Sequence, residues 1–275
     1  MEKLYKAINA NTDITDQALR VACNEIANTY SDIVDVNAKS KTVLRLGENT
    51  DVDTAWETVW QLGGDETYLT ANSIYSISSS DDGDNQDIYI EGHTVSGTGA
   101  DAKFSYVTQT VTMDGQTQTA LTAPLARVSY AANRTSTALA GDVYLYEITT
   151  ITSGVPDDLT KAHMKISGSD GYNQSLKAAA TLSNKDYFIM TGFDASVSSS
   201  TAAAVEFELQ VREVGQQFLP KARFTANTAA LSAVSHKFNH YVIIPKNADV
   251  RVSAKSSLAN ATVTASFAGY VAAVV

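Results

Sequence analysis

Cysteine is nearly absent from this sequence of 275 residues, in which Cys23 is the only one. A single cysteine cannot form an intramolecular disulfide, so the fold does not depend on oxidation, and we expect synthesis in a reducing cytoplasm. Long apolar runs are missing too: no stretch has the length that a membrane span requires, and the first residues lack the cationic-then-apolar order of a secretory signal. The sequence therefore predicts a soluble, unprocessed protein with no membrane partner.

Basic residues are also scarce. The chain has 20 Lys and Arg against 30 Asp and Glu, which gives a formal net charge of −10 at pH 7. Binding to nucleic acid needs clustered cations that displace counterions from the phosphates. We therefore expect no nucleic-acid partner.

The residues that are abundant favour β-structure. Threonine, serine, alanine and valine dominate, and 13 tyrosines outnumber 8 phenylalanines. β-Branched and aromatic residues suit pleated, half-buried surfaces, whereas a helical protein of this length would be richer in Leu, Glu and Lys. The composition predicts an all-β protein, and the length suits two compact units.

One amphipathic helix is predicted near the start of the chain, over residues 14–30. Apolar residues recur there at helical spacing, and Asp13 precedes them as a cap for the free N–H groups of the first turn. The apolar stripe consists of Leu19, Ala22, Cys23, Ile26 and Tyr30. A stripe of this kind must pack on something. It either closes one end of the chain's own β domain, which we favour, or forms an arm that reaches a neighbouring subunit through Leu19, Ile26 and Tyr30.

From Val43 onward the hydrophobic period changes to two, which is typical of strands. The sharpest segment is AVEFELQVREVG, where apolar and polar side chains alternate strictly. The predicted inward side chains are Val205, Phe207, Leu209 and Val211, and the predicted outward ones are Glu206, Glu208, Gln210 and Arg212.

Two other stranded segments carry specific predictions. The run KFSYVTQTVTMDGQTQTALT joins two strand-like stretches at Asp114-Gly115, which predicts a hairpin because this dipeptide accepts the positive φ of a tight turn. The run DVYLYEITTI is apolar on both faces, as a central or interface strand would be. We expect its Tyr144 and Tyr146 to lie at a contact with a partner.

The pattern is interrupted at SGVPDDLTK, where Gly154 and Pro156 indicate a boundary between units. The predicted organisation is an N-terminal arm with a helix over residues 1–52, a β-sandwich over 53–155 and a jelly-roll-like β domain over 156–275. Short strands separated by turns, without crossover helices, indicate antiparallel sandwiches or jelly rolls.

Candidates for chemistry are weak. The acids between Asp81 and Asp87 do not follow the order of a calcium-binding loop, so a solvated turn is predicted instead. His236 and His240 lie four apart in a predicted strand, where they would be about 13 Å apart and could not share a zinc ion. Cys23 lies on an apolar stripe, which favours a buried hydrophobic residue over a nucleophile. We expect no catalytic residue, no metal site and no cofactor.

Two long segments resemble a known family. The stretch that begins WETVWQLGGDETY, continues through SSSDDGDNQDIYIEG and ends QTVTMDGQTQTALTAPLARV resembles a recurrent module of tailed-phage virion proteins, especially those of marine and cyanobacterial phages. The stretches VREVGQQFLPKARF and HYVIIPKNADVRVSAKSSLANATVTASFAGYVAAVV are similar to the end of the same structural proteins. Together they cover most of residues 55–275.

The resemblance implies a non-enzymatic virion structural protein that is assembled in the host cytoplasm. Its most concrete form is a capsid decoration or cement protein, a homo-oligomer that binds the major capsid protein or other virion proteins. The acidic charge suits an outer surface away from DNA. One alternative is a tail or neck component, such as a collar, connector or fibre base. Another is a β-sandwich that binds carbohydrate or a host surface, with sugars stacked on Tyr68, Tyr75, Tyr172 and Tyr187.

Overall fold

The computed structural model describes residues 41–198, 203–229 and 232–273. The predicted helix over residues 14–30 lies outside these ranges. Within them the chain is all-β, as the composition predicts. This part of the chain contains no helix long and apolar enough to cross a membrane.

The described strands are numbered β1 to β18 in chain order, and neighbouring strands pair antiparallel throughout. They are β1 Lys41–Val52, β2 Glu57–Thr58, β3 Ile74–Ser79, β4 Asp87–Ser96, β5 Lys103–Thr112, β6 Thr119–Leu125, β7 Arg127–Asn133, β8 Val143–Glu147, β9 Ile151–Thr152, β10 Val155–Pro156, β11 Ala162–Ile166, β12 Ala179–Thr181, β13 Asp186–Ser198, β14 Ala204–Glu213, β15 Leu219–Asn227, β16 Ala233–Ile244, β17 Ala248–Ser256 and β18 Ala261–Ala273. Two short 3-10 turns, Gly99–Asp101 and Leu159–Lys161, precede β5 and β11.

The first sandwich packs the four-stranded sheet β11-β8-β3-β6 against the three-stranded sheet β5-β4-β7. Side chains from both sheets form one apolar cluster, because alternate residues of each strand point to the same side. Its fully buried members include Ile77, Ile90, Leu125, Leu145 and Met164.

The second sandwich packs the sheet β1-β18-β13-β16 against the sheet β12-β17-β14-β15, in which β2 also pairs with β17. Its apolar cluster contains the fully buried Phe188, Phe193, Phe207, Val252 and Phe267. The four inward residues predicted on β14 all belong to this cluster. Strict alternation in the sequence therefore located one core-facing strand correctly.

The polar residues of β14 face away from that core, but two of them are covered. Glu208 and Gln210 are both buried. Glu208 accepts hydrogen bonds from Arg223, and Gln210 accepts one from Arg251 at 2.9 Å. Long arginine side chains from the two neighbouring strands therefore shield positions that alternation alone assigns to solvent.

The two ends of the described chain meet in the second sandwich. β1 pairs with β18 from Lys41↔Val271 onward, and β2 pairs with β17. β11 pairs with β8, so the first sandwich continues beyond residue 155. Strand pairing thus connects residues across both of the boundaries placed at 52 and 155. The first sandwich is an insertion between β2 and β12 of the second.

The turn at Asp114-Gly115 forms, but the strands on either side of it do not pair. Gly115 has a φ of 53°, and Asp114 bridges to Thr117. β5 pairs with β4, however, and β6 pairs with β3 of the opposite sheet. The predicted hairpin was wrong. Val111 and Leu121 both enter the core between the sheets, and the connection passes from one sheet to the other.

Candidate functional site

The two sandwiches meet at a buried contact, here called the junction, that is rich in charged side chains. At its centre is Asp249 on β17, which is 2% exposed. Its carboxylate accepts hydrogen bonds from Arg127 Nε at 3.1 Å, from Arg212 at 2.9 and 3.0 Å, and from Thr181 Oγ1 at 2.6 Å. Arg127 lies on β7 of the first sandwich, whereas the other groups belong to the second. A buried ion pair therefore links the two sandwiches directly.

The electrostatics of Asp249 follow from this arrangement. Burial by itself would raise the pKa of the Asp249 carboxyl, but the guanidinium groups of Arg127 and Arg212 outweigh burial and hold that pKa below its usual value. The carboxylate is thus stabilised in its charged form.

Aromatic rings fill the space around these guanidinium groups. Tyr68 lies 4.9 Å from the Arg127 guanidinium carbon and 4.2 Å from that of Arg212, measured to its ring centroid. The ring of Phe218 lies 5.1 Å from that of Tyr68 and 4.1 Å from the Arg251 guanidinium carbon. Burial, followed by the negative charge of Glu66, raises the pKa of Tyr68 well above its ordinary value. The guanidinium groups are attracted to the faces of the aromatic rings, and this stacking also fixes their relative orientation at the junction.

A second buried ion pair joins Lys177 to Glu66, and both side chains are 3% exposed. Lys177 Nζ also donates to the carbonyl oxygens of Val128 at 3.0 Å and His163 at 3.3 Å, which belong to the first sandwich. The indole of Trp60 lies 5.2 Å away. Burial lowers the pKa of Lys177, although Glu66 acts in the opposite direction. Replacement of one partner of such a pair by an apolar residue leaves the other charge buried and unpaired, which is strongly destabilising.

A cavity of about 330 Å³ opens beside the junction and is lined by both sandwiches. Its walls are mainly apolar, with Phe188 and Phe267 among them. Arg45 of β1 and Glu91 of β4 form an ion pair of 2.8 Å at its side. His93 is buried there, and burial lowers its pKa to about 4, so its imidazole is neutral at pH 7. Such a cavity can hold a small, mostly apolar group.

The acidic stretch from Asp81 to Asp87 is organised by one internal carboxylate. Asp84 is buried and accepts hydrogen bonds from Ser79 Oγ at 2.6 Å and from the backbone N–H groups of Ala140 and Gly141, each at 2.9 Å. The described residues contain no group of three or more His, Cys, Asp or Glu placed to hold a metal ion. Asp84 works as a structural anchor that ties the turn after β3 to the segment before β8.

The predicted interface tyrosines on β8 are covered by the chain itself. Tyr146 is fully buried, and its hydroxyl lies 3.0 Å from Ser78 Oγ. Tyr144 is 7% exposed, and burial, followed by the nearby Asp142, raises its pKa to about 12. Leu62, Ile151 and Val155 pack against these rings. The second apolar face of β8 thus has an intrachain cover, and the role of both tyrosines at a partner contact stays a prediction.

The other predicted interface residues, Leu19, Ile26 and Tyr30, lie outside the described residues. Of the tyrosines considered for sugar stacking, Tyr68 is half-buried at the junction, whereas Tyr172 lies exposed in a loop. His236 lies on strand β16, as predicted, beside the ring of Phe238.

An apolar surface is exposed on the outer side of the sheet β1-β18-β13-β16. Leu44 is 62% exposed, Leu46 39% and Ile243 66%, and the half-buried Ile189 and Tyr270 lie between them. Register places Tyr270 opposite Ile189, and Ile189 opposite Ile243, so these side chains share one side of the sheet. These five residues are called the apolar face below.

Sequence reasoning missed the junction. Arg127, Lys177 and Asp249 each follow or precede apolar strand residues, and a charged residue in such a position is the available signal. The signal does not identify a partner, because Arg127 lies 122 residues from Asp249 in the sequence and Lys177 lies 111 residues from Glu66.

No protein-family model matches the chain, and no curated protein matches it.

Proposed function

We propose that this chain is a non-enzymatic structural component of a tailed-phage virion, most concretely a capsid decoration or cement protein that stabilises the shell. The observation that carries the proposal is the junction. Buried charged side chains of the second sandwich bind Arg127 and the Val128 carbonyl of the first, and a direct contact of this kind between the two sandwiches suits a component of a shell.

The sequence supports the same proposal. The segments that resemble virion proteins supply strands to both sandwiches, from β2 to β7 and from β14 to β18. The net charge of −10 suits a position on the outside of a shell, because the packaged DNA would repel an acidic surface. The partners under this proposal are the major capsid protein, other virion proteins and further copies of the chain in a symmetric oligomer.

The first test is the copy number of the chain in purified particles of the virus that encodes it. Quantitative mass spectrometry would measure it against the major capsid protein, with the major tail protein as an internal standard. We expect a ratio near one or a simple fraction such as one third. A few tens of copies would overturn the capsid assignment in favour of a neck or tail component. Complete absence from particles would refute a virion role and favour surface binding.

The second test addresses stabilisation of the shell. Particles that lack the chain should release their DNA at a lower temperature than complete particles, and added purified protein should restore the original release temperature. Equal release temperatures with and without the protein would contradict a cementing role. An unrelated acidic protein of similar size is the control for non-specific effects of added protein.

A further inference from the structure

The apolar face lies towards one end of its sheet, and its residue Leu46 borders on Ser266 of the neighbouring strand. On the same outer side, the other end of the sheet carries small hydroxyl residues: Thr262, Thr264, Ser196 and Ser266. Ser196 Oγ and Thr264 Oγ1 lie 2.6 Å apart, so hydroxyls are paired there. Glu48 and Asp194 lie on the same outer side, opposite Thr264 and Ser266. Apolar side chains are therefore concentrated at one end of an otherwise polar surface. A concentration of this kind marks a surface that another element covers.

The chain enters the sheet beside this face. Lys41, the first residue of β1, pairs with Val271, and the next residue, Thr42, pairs with Tyr270 of the apolar face. Forty residues precede Lys41 in the sequence. The segment upstream of β1 therefore joins the sheet one residue before Thr42, which pairs with Tyr270 of the apolar face.

Length and reach fit this surface. A helix over residues 14–30 would be about 25 Å long, and the connection of ten residues from Tyr30 to Lys41 spans at most about 36 Å. Four strands spaced about 4.8 Å apart are about 14 Å wide. The predicted helix can therefore reach every part of the apolar face from its own chain.

We propose that residues 14–30 of the same chain pack on the apolar face, with the stripe that contains Leu19, Cys23 and Ile26 directed at the sheet. A sheet with one uncovered apolar side is completed by a helix in many layered folds. The short connection gives the segment an effective concentration of order millimolar, which favours it over a second copy of the chain in dilute solution. The proposal concerns the isolated chain and does not depend on the virion role.

The native Cys23 makes a direct test possible, because it is the chain's only thiol. In the full chain, a second cysteine is introduced on the apolar face as Leu44→Cys or Ile243→Cys, or beside it as Ala268→Cys, at the position that pairs with Leu44. Two matched controls are Thr264→Cys, at the hydroxyl end of the same sheet, and Ile148→Cys, which is 68% exposed on the first sandwich. Each variant is oxidised mildly and analysed by non-reducing gel electrophoresis and by mass spectrometry of the linked peptides.

We expect an intrachain disulfide to Cys23 in at least one face variant, at a rate at least tenfold above both controls. Equal rates at all five positions would overturn the proposal, because they would mean that the segment has no preferred site. Disulfide-linked dimers confined to the face variants would also overturn it and would assign the surface to a second copy.

Hydrogen exchange gives a readout that needs no new thiol. Amides of residues 14–30 should be protected in the full chain, and the double variant Leu44→Ser with Ile243→Ser should lose that protection by tenfold or more. The control Ile148→Ser should leave the protection unchanged. Exchange in residues 14–30 that is equally fast in the unmodified chain and in the double variant would contradict the proposal, whatever the disulfide result.

Discussion

The junction and the apolar face both depart from the usual distribution, in which charged side chains are exposed and apolar side chains are buried. At the junction, charged residues such as Asp249 and Lys177 are buried, whereas on the apolar face Leu44 and Ile243 are exposed. Both surfaces belong to the second sandwich. Charges lie where it meets the first sandwich, and apolar side chains lie on its outer sheet.

The difference is explained by the partner that each surface has. Asp249 and Lys177 are buried with opposite charges and hydrogen-bond donors or acceptors from the same chain, which offsets the cost of removing them from water. Within residues 41–198, 203–229 and 232–273, the apolar face has no element packed over Leu44 or Ile243. A buried charge thus identifies a partner inside the described structure, and an exposed apolar face indicates a partner that must be sought outside it.

The largest expected effect is at the centre of the junction. Asp249→Ala leaves Arg127 and Arg212 without their shared carboxylate, and removal of one partner from a buried ion pair costs about 3–5 kcal/mol. We expect the free energy of unfolding, measured with urea at pH 7, to fall by that amount. The control Asp194→Ala changes an exposed residue on β13 and should cost less than about 0.5 kcal/mol. A loss below about 1 kcal/mol for Asp249→Ala would mean that the ion pair does not hold the sandwiches together.

The pH dependence of stability is the next test. The folded pKa of His93 is about 4 because the side chain is buried, and Asp249 and Arg127 act on it in opposite directions. The unfolded value is near 6.5, so the unfolded chain binds more protons between these two values. The stabilisation of the folded state that is linked to the titration of His93 is therefore fully present above pH 6.5. As the pH falls to 4, the free energy of unfolding decreases by about 3 kcal/mol. Asp249, with its lowered pKa, adds a further loss only below about pH 4.

A variant isolates the His93 contribution. His93→Phe keeps a ring beside Phe104 and Tyr106 but cannot titrate, so its unfolding free energy should change less between pH 6.5 and 4. His163, whose pKa is also lowered by burial, accounts for part of the remaining slope. Ile148→Phe, at an exposed position that carries no titratable group, should keep the full slope. If His93→Phe also kept the full slope, the imidazole would not be a neutral buried group.

The smallest expected change in the free energy of unfolding tests whether another segment packs on the apolar face. If residues 14–30 cover Leu44, Leu44→Ala should lower the free energy of unfolding of the full chain by about 1 kcal/mol, below the cost of a fully buried leucine. Ile148→Ala, at a comparably exposed position, should stay within about 0.5 kcal/mol. Equal costs for the two variants, measured by urea denaturation, would mean that nothing packs on Leu44.

Local patterns predicted much of the fold but not its pairing. The strict alternation of β14 and the two-sided apolar pattern of β8 are local properties, and both strands form where the sequence places them. The Asp114-Gly115 turn also forms, but the strands beside it pair elsewhere, because strand partners are selected by burial in the shared core rather than by the turn. The junction escaped prediction for the same reason, since Arg127 and Asp249 meet only after both sandwiches have folded.

The sequence by itself determined that the described chain is built from strands, since β-branched residues, period-two alternation and turn residues act over a few neighbouring positions. Only the tertiary structure decided that β1 joins β18, that the first sandwich is inserted into the second, and that Asp249 lies between Arg127 and Arg212. These contacts join residues far apart in the chain, and their free energy comes from desolvation and charge pairing that exist only after the distant segments are packed together.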